Sequence, residues 1–345
     1  MTKIHTQVFR RISGRMQKGY LVRAAEAIRN GELIAFPTET VYGLGENAYD
    51  ERAIQKIFRV KGRPVDNPLI VHVASMEQAE HLFQIVPKHF YPIAKAFWPG
   101  PLSIIGYKNA SVLDIVTAGL PKVAVRMPDH RIAQQLIWQA AVPLVAPSAN
   151  ISGSPSPTNA ADVLKDLDGK IFGVIDGGAC NIGIESTVID LSDNRAIILR
   201  PGKITKEEIE EVIHRHVSIA KQSRAHPASP GMKYTHYAPK AKLFLFTGSD
   251  RMMLQNMKQY MDRLHRKNKR IGLLASKKMK LSGMDSFFSL KEGTAFDYAR
   301  MMYNGLRVLD SLHVDCIFCP AIAAEGVGLA VMNRLKKAAT RSIKN

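Results

Sequence analysis

The chain has 345 residues with 46% hydrophobic and 23% charged side chains, a balance that suits a folded protein with two cores rather than one. No apolar run approaches the roughly 20 residues a membrane span needs. The charged N-terminus lacks the apolar centre of a secretory leader, and three cysteines are too few for a disulfide framework, so the chain reads as cytoplasmic.

Tyr20 to Asn30 predicts an amphipathic helix closed by Gly31, and the strand ELIAF follows. Asp50 to Val60 has helical spacing, with Ile54, Ile57 and Phe58 on one face. PLIVHV, PLSIIGYK, KVAVRM, PLVAPS, STVIDL and AIILRP are compact strands bounded by proline, glycine or polar residues. Helices between some strands and none between others predict an α/β fold with a twisted mixed sheet. Around Val217 to Pro239 the aliphatic periodicity fades into a linker holding Tyr234 and Tyr237. Beyond it strands (KLFLFTG, RIGLLAS, VDCIFCPAI) alternate with helices (252–264, 295–312, 329–339), the pattern of a small Rossmann-like α/β domain. The domains are therefore 12–208, a linker at 209–240, and 241–345.

The net charge of +18 is unevenly spread: residues 1–202 carry 22 Lys and Arg against 18 Asp and Glu, residues 203–345 carry 26 against 12. The run RLHRKNKR, Arg263 to Arg270, reads as a solvated basic helix end or as a contact for RNA or another polyanion. Cys316 and Cys319 form a Cys-x-x-Cys pair inside an apolar run, with no second ligand pair; they read as small buried strand residues.

Four segments of the first domain end a strand or helix in polar or cationic residues, which in open α/β sheets converge beyond the strand ends. FPTETVYGLGENA offers the Thr38 and Thr40 hydroxyls, and its Gly43 and Gly45 could let backbone approach a ligand. RVKGRPVDNPLIVHV sets Lys61 and Arg63 at a helix end, where they could complement the helix dipole or cup a polyphosphate, with Asn67 and His72 following. In KVAVRM, Arg126 interrupts an apolar strand and must meet an acid or an anionic ligand. LVAPSANISGSPS empties a strand into Ser148, Asn150 and Ser156, and with it go Ser186 of ESTVIDL and Arg200 of ILRPGKI. There is no Walker A sequence and no Ser/His/Asp nucleophile, so the lining suits an anionic nucleotide beside a small zwitterion.

FPTETVYGLG, KGRPVDNPLIVHV, FWPGPLSII, VAVRMPDH, APSANISGSPSPT, ESTVIDL and LRPGKI, in this order, resemble the YrdC-like domain. With SPGMKYTHYAPKA and the second α/β domain, the chain is similar to the two-domain threonylcarbamoyl-AMP synthases. The resemblance implies an enzyme, a nucleotidyltransferase, that joins L-threonine, bicarbonate or CO₂, and ATP into threonylcarbamoyl-adenylate and diphosphate. That adenylate would feed the threonylcarbamoyl modification of tRNA beside the anticodon through a tRNA threonylcarbamoyl transferase complex. By similarity, Thr40, His72, Arg126, Ala146 (through backbone) and Ser186 would hold threonine. Lys61, Arg63, Asn67, Lys122, Ser148, Asn150, Ser156, Arg200 and the linker Tyr234, or in its place Tyr237, would hold ATP, with Lys61 and Arg63 catalytic. Family members commonly have a small hydroxyl residue where this chain has Lys122. Mg²⁺ would accompany ATP without an assigned protein ligand. The competing expectation is a non-catalytic RNA-binding module drawing on the positive charge.

Overall fold

The structure, a computed structural model, describes residues 5–10, 17–220 and 237–344. Eleven strands among the described residues make the first sheet: β1 Gln7–Arg10, β2 Ile34–Phe36, β3 Gly43–Asn47, β4 Ile70–His72, β5 Leu102–Tyr107, β6 Lys122–Arg126, β7 Leu144–Val145, β8 Gly173–Asp176, β9 Thr187–Asp190, β10 Ala196–Arg200 and β11 Val217–Ile219. Their spatial order is β1-β8-β2-β3-β7-β4-β6-β5-β9-β10-β11. Parallel pairs such as β4 with β6 and β5 with β9 sit among antiparallel ones such as β3 with β7 and β5 with β6. The sheet is mixed, as the uneven spacing of helices predicts.

Side-chain alternation assigns the two faces of this sheet to different cores. Ile34 and Phe36 pack with Leu21, Ile28, Leu136 and Ile175, whereas Ala35 between them packs with Leu44, Ile57, Val71 and Val125. Leu144 and Val145 divide in the same way. Both faces being covered, the strands read as nearly continuous apolar runs. Gly43 and Gly45 lie in β3, and a Cβ on either would meet the side chain of Ala146 at 3.2 Å or Phe36 at 2.6 Å. Close packing on neighbouring strands, rather than ligand approach, accounts for these glycines.

The second sheet has five strands, β12 Lys242–Phe246, β13 Ile271–Ala275, β14 Ser286–Ser289, β15 Cys316–Pro320 and β16 Arg341–Ile343, in the order β14-β13-β15-β12-β16. Every pairing in it is parallel, with helices Asp250–His265, Ala295–Ser311 and Val327–Ala338 as connections. Cys316 and Cys319 are both buried and free on β15; three residues apart on a strand, they face opposite sides of the sheet.

Contacts divide the described chain into two units: residues through 152, 156–181 and 185–220 form one, while 153–155, 182–184 and 237–344 form the other. The helix Lys206–Ile213 straddles the boundary drawn at 208, and strand β11 falls inside the stretch read as linker. A capping box between Thr205 and Glu208 starts that helix, and β11 pairs with β10 to extend the first sheet. Tyr234 lies outside the described residues. No helix among them is long and apolar enough to cross a membrane.

Candidate active site

Lys61 owes its position to both ends of its helix, Glu51–Lys61. Asp50 caps the first turn by accepting from the Ala53 amide at 3.1 Å. Gly62 ends the helix in the left-handed region at φ 59°, where a Cβ would be strained. Ile54, Ile57 and Phe58 face the core, and Lys61, one turn on, is 2% exposed. Its ammonium does not turn back onto its own helix end. It donates to the carbonyl of Ser148 and, at 2.5 Å, to that of Asn150. The Ser152 amide returns a bond to the Lys61 carbonyl at 2.8 Å.

The loop that receives Lys61 is itself fixed. The Ala149 amide donates to the Tyr42 carbonyl at 2.8 Å, and Ser148 bridges to Gly43 of β3. Ser148 Oγ donates to Asn150 Oδ1 at 2.6 Å, and Asn150 Nδ2 donates to the Ile151 carbonyl. Past Gly62, the Arg63 guanidinium donates to the carbonyls of Asn67 (3.2 Å) and Pro68 (2.9 Å). Asn67 is 1% exposed, yet neither its Oδ1 nor its Nδ2 has a hydrogen-bond partner among the described residues. A buried amide left so is uncommon in native proteins and points to a ligand contact.

Strand β4 joins this region to a second one. The Ala146 amide donates to Ile70 at 3.1 Å, and the parallel register of β4 with β6 sets His72 beside Arg126. His72 is buried; desolvation first, then the charges of Arg126 and Arg200, hold it down at about 3, so its imidazole is neutral. Arg126 Nε donates to the Gly100 carbonyl at 3.2 Å, and its Nη2 stands 2.7 Å from Glu39 Oε1. Of the acid or anion that Arg126 required, the structure supplies an internal carboxylate. Glu39 was missed from the sequence because a single loop acid carries no periodicity, although it sits inside PTETVY beside Thr40.

Thr40 is fully buried, and its hydroxyl lies 2.8 Å from that of Thr38. Since Thr38 donates to the Val41 carbonyl at 2.6 Å, Thr40 is the donor between them. On the far side, Arg200 at the end of β10 donates to the Ser186 carbonyl and hydroxyl, each at 3.0 Å, and Ser186 Oγ lies 2.8 Å from Ser103 Oγ. Gly202 follows because a Cβ there would come within 2.2 Å of the Thr187 amide nitrogen. Ser156 is buried and donates to Glu185 Oε1 at 2.6 Å.

Contacts therefore link Lys61, Arg63, Asn67, Ser148, Asn150 and Ala146 through β4 to His72, Arg126 and Thr40, with Arg200 in electrostatic reach of His72. Lys122 stands apart. It opens β6, about 13 Å along the strand from Arg126, and its ammonium lies 3.1 Å from both Asp190 and Asp193. As for a metal, no group of three or more His, Cys, Asp and Glu among the described residues could hold one, and the phosphate-facing residues expected from the sequence are cations, amides and hydroxyls. A metal held by the protein does not fit that donor set.

Comparison with known proteins adds to this geometry. Residues 26–202 match the Sua5/YciO/YrdC family model, described as telomere recombination, and residues 204–340 match that of the threonylcarbamoyl-AMP synthase C-terminal domain. The threonylcarbamoyl-AMP synthase of Pyrococcus abyssi is 46% identical over 318 residues, 91% of this chain and 92% of its own length. That of Bacillus subtilis is 45% identical over 325 residues, 92% of each chain. The crystal structure of P. abyssi Sua5 complexed with L-threonine superposes with a TM-score of 0.93 at 44% identity, over 99% of both chains. Escherichia coli YciO, 22% identical with a TM-score of 0.51 over 56% of this chain, shares the fold of that part alone.

Proposed function

The chain belongs to the family of two-domain threonylcarbamoyl-AMP synthases, and from that membership and the geometry of the first unit we propose that it joins L-threonine, bicarbonate or CO₂, and ATP into threonylcarbamoyl-adenylate and diphosphate. The observation that carries this reading is the bridging role of β4: phosphate-binding chemistry (Lys61 on the 148–150 loop) lies at one side and carboxylate-binding chemistry (Arg126 beside a neutral His72) at the other. The alternative of a non-catalytic RNA-binding module gives way, because the relatives matched along nine-tenths of the chain are named as synthases.

The Arg126 guanidinium takes the threonine carboxylate as a fork, and Thr40, His72 and Ser186 line the same subsite. Lys61, Arg63 and Arg200 offset the negative charge that gathers on the phosphates as diphosphate leaves; Asn67, Ser148, Asn150 and Ser156 orient the nucleotide. Lys122, engaged with Asp190 and Asp193, would reach ATP only after releasing them. Tyr234 would close over the nucleotide. Mg²⁺, if it accompanies ATP, would supply charge neutralisation on the phosphates beside Lys61, Arg63 and Arg200, with no protein ligand assigned to it. The product is handed to a tRNA threonylcarbamoyl transferase complex in the cytoplasm, where three free buried cysteines are at home. The exposed Arg263, Arg266, Lys267 and Arg270 are where RNA would touch the second unit.

The test is release of diphosphate from ATP that requires both threonine and bicarbonate. Lys61→Ala should lower it by about 10²-fold or more, as loss of a preorganised transition-state charge does, while threonine binding measured by calorimetry is retained. Near-normal turnover would remove Lys61 from the site.

A further inference from the structure

Glu39 and Arg126 form an ion pair of an unusual kind. Both are buried, at 6% and 4% exposure, and their nearest atoms are 2.7 Å apart. Yet Glu39 Oε1, Glu39 Oε2 and Arg126 Nη2 all lack a geometrically sound hydrogen bond among the described residues. A buried ion pair recovers its desolvation cost only when its remaining lone pairs and protons are satisfied. Here the nearby hydroxyls are turned elsewhere: Thr40 donates to Thr38 and Thr38 to the Val41 carbonyl. A carboxylate serving only to neutralise Arg126 would have drawn on them. The pair instead presents one cation and one anion with open bonding capacity, side by side, which is the complement of a zwitterion.

We propose that Glu39 is a catalytic residue: it accepts a hydrogen bond from the amino group of the threonine held on Arg126 and then takes the proton whose loss makes that nitrogen a nucleophile. This deepens the activity proposed above and rests on it. One ammonium N–H bond breaks and its proton goes to Glu39 Oε2. The nitrogen lone pair forms the N–C bond to the carbon of bicarbonate. Hydroxide leaves that carbon and departs as water with a second nitrogen proton. The resulting carbamate oxygen attacks the α-phosphorus with loss of diphosphate, and Glu39 then gives its proton to solvent.

The groups facing Glu39 limit the alternatives. Arg126 on β6 carries no transferable proton at neutral pH. His72 on β4 is neutral down to about 3, and burial pushes the thiol of Cys180 up to about 12. Arg200 stands beyond His72. Among these groups Glu39 is the one whose carboxylate oxygens stand open beside the Arg126 guanidinium that takes the substrate carboxylate.

Glu39→Gln and Glu39→Asp in the full chain test this, with two rates measured for each. The forward rate is threonine- and bicarbonate-dependent diphosphate release; the reverse rate is ATP formation from threonylcarbamoyl-adenylate and diphosphate, whose first step needs no amine deprotonation. Glu39→Gln should lose about 10²-fold or more of the forward rate at pH 7, recover roughly tenfold per pH unit towards pH 9 as free threonine sheds its own proton, and keep the reverse rate within about threefold. Glu39→Asp should keep the reverse rate and part of the forward rate, with a pH profile shaped like that of the unmodified chain. The proposal is overturned if forward and reverse rates fall together in folded protein, or if Glu39→Gln keeps the forward rate and its profile. Should Glu39→Gln fail to fold, the same two rates in Glu39→Asp decide. If the unmodified chain itself releases no threonine-dependent diphosphate, it is the parent reading that fails.

Discussion

Glu46 is the acid most displaced from ordinary behaviour outside the site. It is fully buried on β3, where desolvation raises its carboxyl to about 8 against only the Asn47 amide and the distant charge of Lys56. The folded chain therefore keeps a proton that the unfolded chain gives up near 4.5. The associated stability is complete below 4.5 and drains away as pH rises through about 8. Glu46→Gln should flatten this dependence, on the order of 4 kcal/mol between pH 5 and 9, as followed by urea midpoints at the two pH values. A wild-type slope surviving in the variant would assign it to another group. At this scale the sequence was legible where a residue type broke an apolar pattern, as at Arg126 and Arg200. It was illegible where the meaning lay in a partner, as with Glu39, because pairing across 87 positions leaves no local mark.

At the scale of elements, the apolar face of the helix expected over Asp50 to Val60 was readable, and the structure adds its ends: the Asp50 cap and the glycine stop that set the helix at Glu51–Lys61. What it delivers also depends on that stop. Nothing lies within 4 Å of a Cβ built on Gly62, so Gly62→Ala meets no clash and its cost is conformational alone, about 1 kcal/mol for an alanine at positive φ. The larger consequence falls on aim: Lys61 and Arg63 flank the strained residue. Gly62→Ala should raise the KM for ATP several-fold while leaving that for threonine nearly unchanged, and Gly62→Asn should do so less, since asparagine tolerates the left-handed region better. Equal changes in both KM values would contradict this division. The strands β14 (SFFS) and β16 (RSI) escaped the sequence reading because each is short, half polar and defined by its neighbour. β11 was hidden for another reason: it follows a polar helix in a stretch that looks like linker.

At the scale of the whole molecule, charge and chemistry are separated along the chain. The proposed site residues other than Tyr234 lie in the less basic part, while the exposed Arg263, Arg266, Lys267 and Arg270 belong to the part with 26 cations against 12 acids. Some of that excess is already answered within its own unit, as where Lys269 meets Asp315 at 2.9 Å and His265 meets Asp285 at 3.1 Å. Replacing these four exposed cations, the proposed RNA contact, with Ser should lower the salt slope of tRNA binding by about three to four with diphosphate release from ATP unchanged; an unaltered slope would count against that proposal. The change of texture after residue 217 is where the sequence suggested a linker, yet the first sheet runs on through β11 into that very stretch.

The placement of the three thiols has a use of its own. Cys180 is shut inside one unit, and Cys316 and Cys319 point into opposite layers of the other. Alkylation in the native protein must wait for each enclosure to breathe. Timed labelling with iodoacetamide, read by mass spectrometry site by site, would clock the opening of each unit separately without any engineered probe.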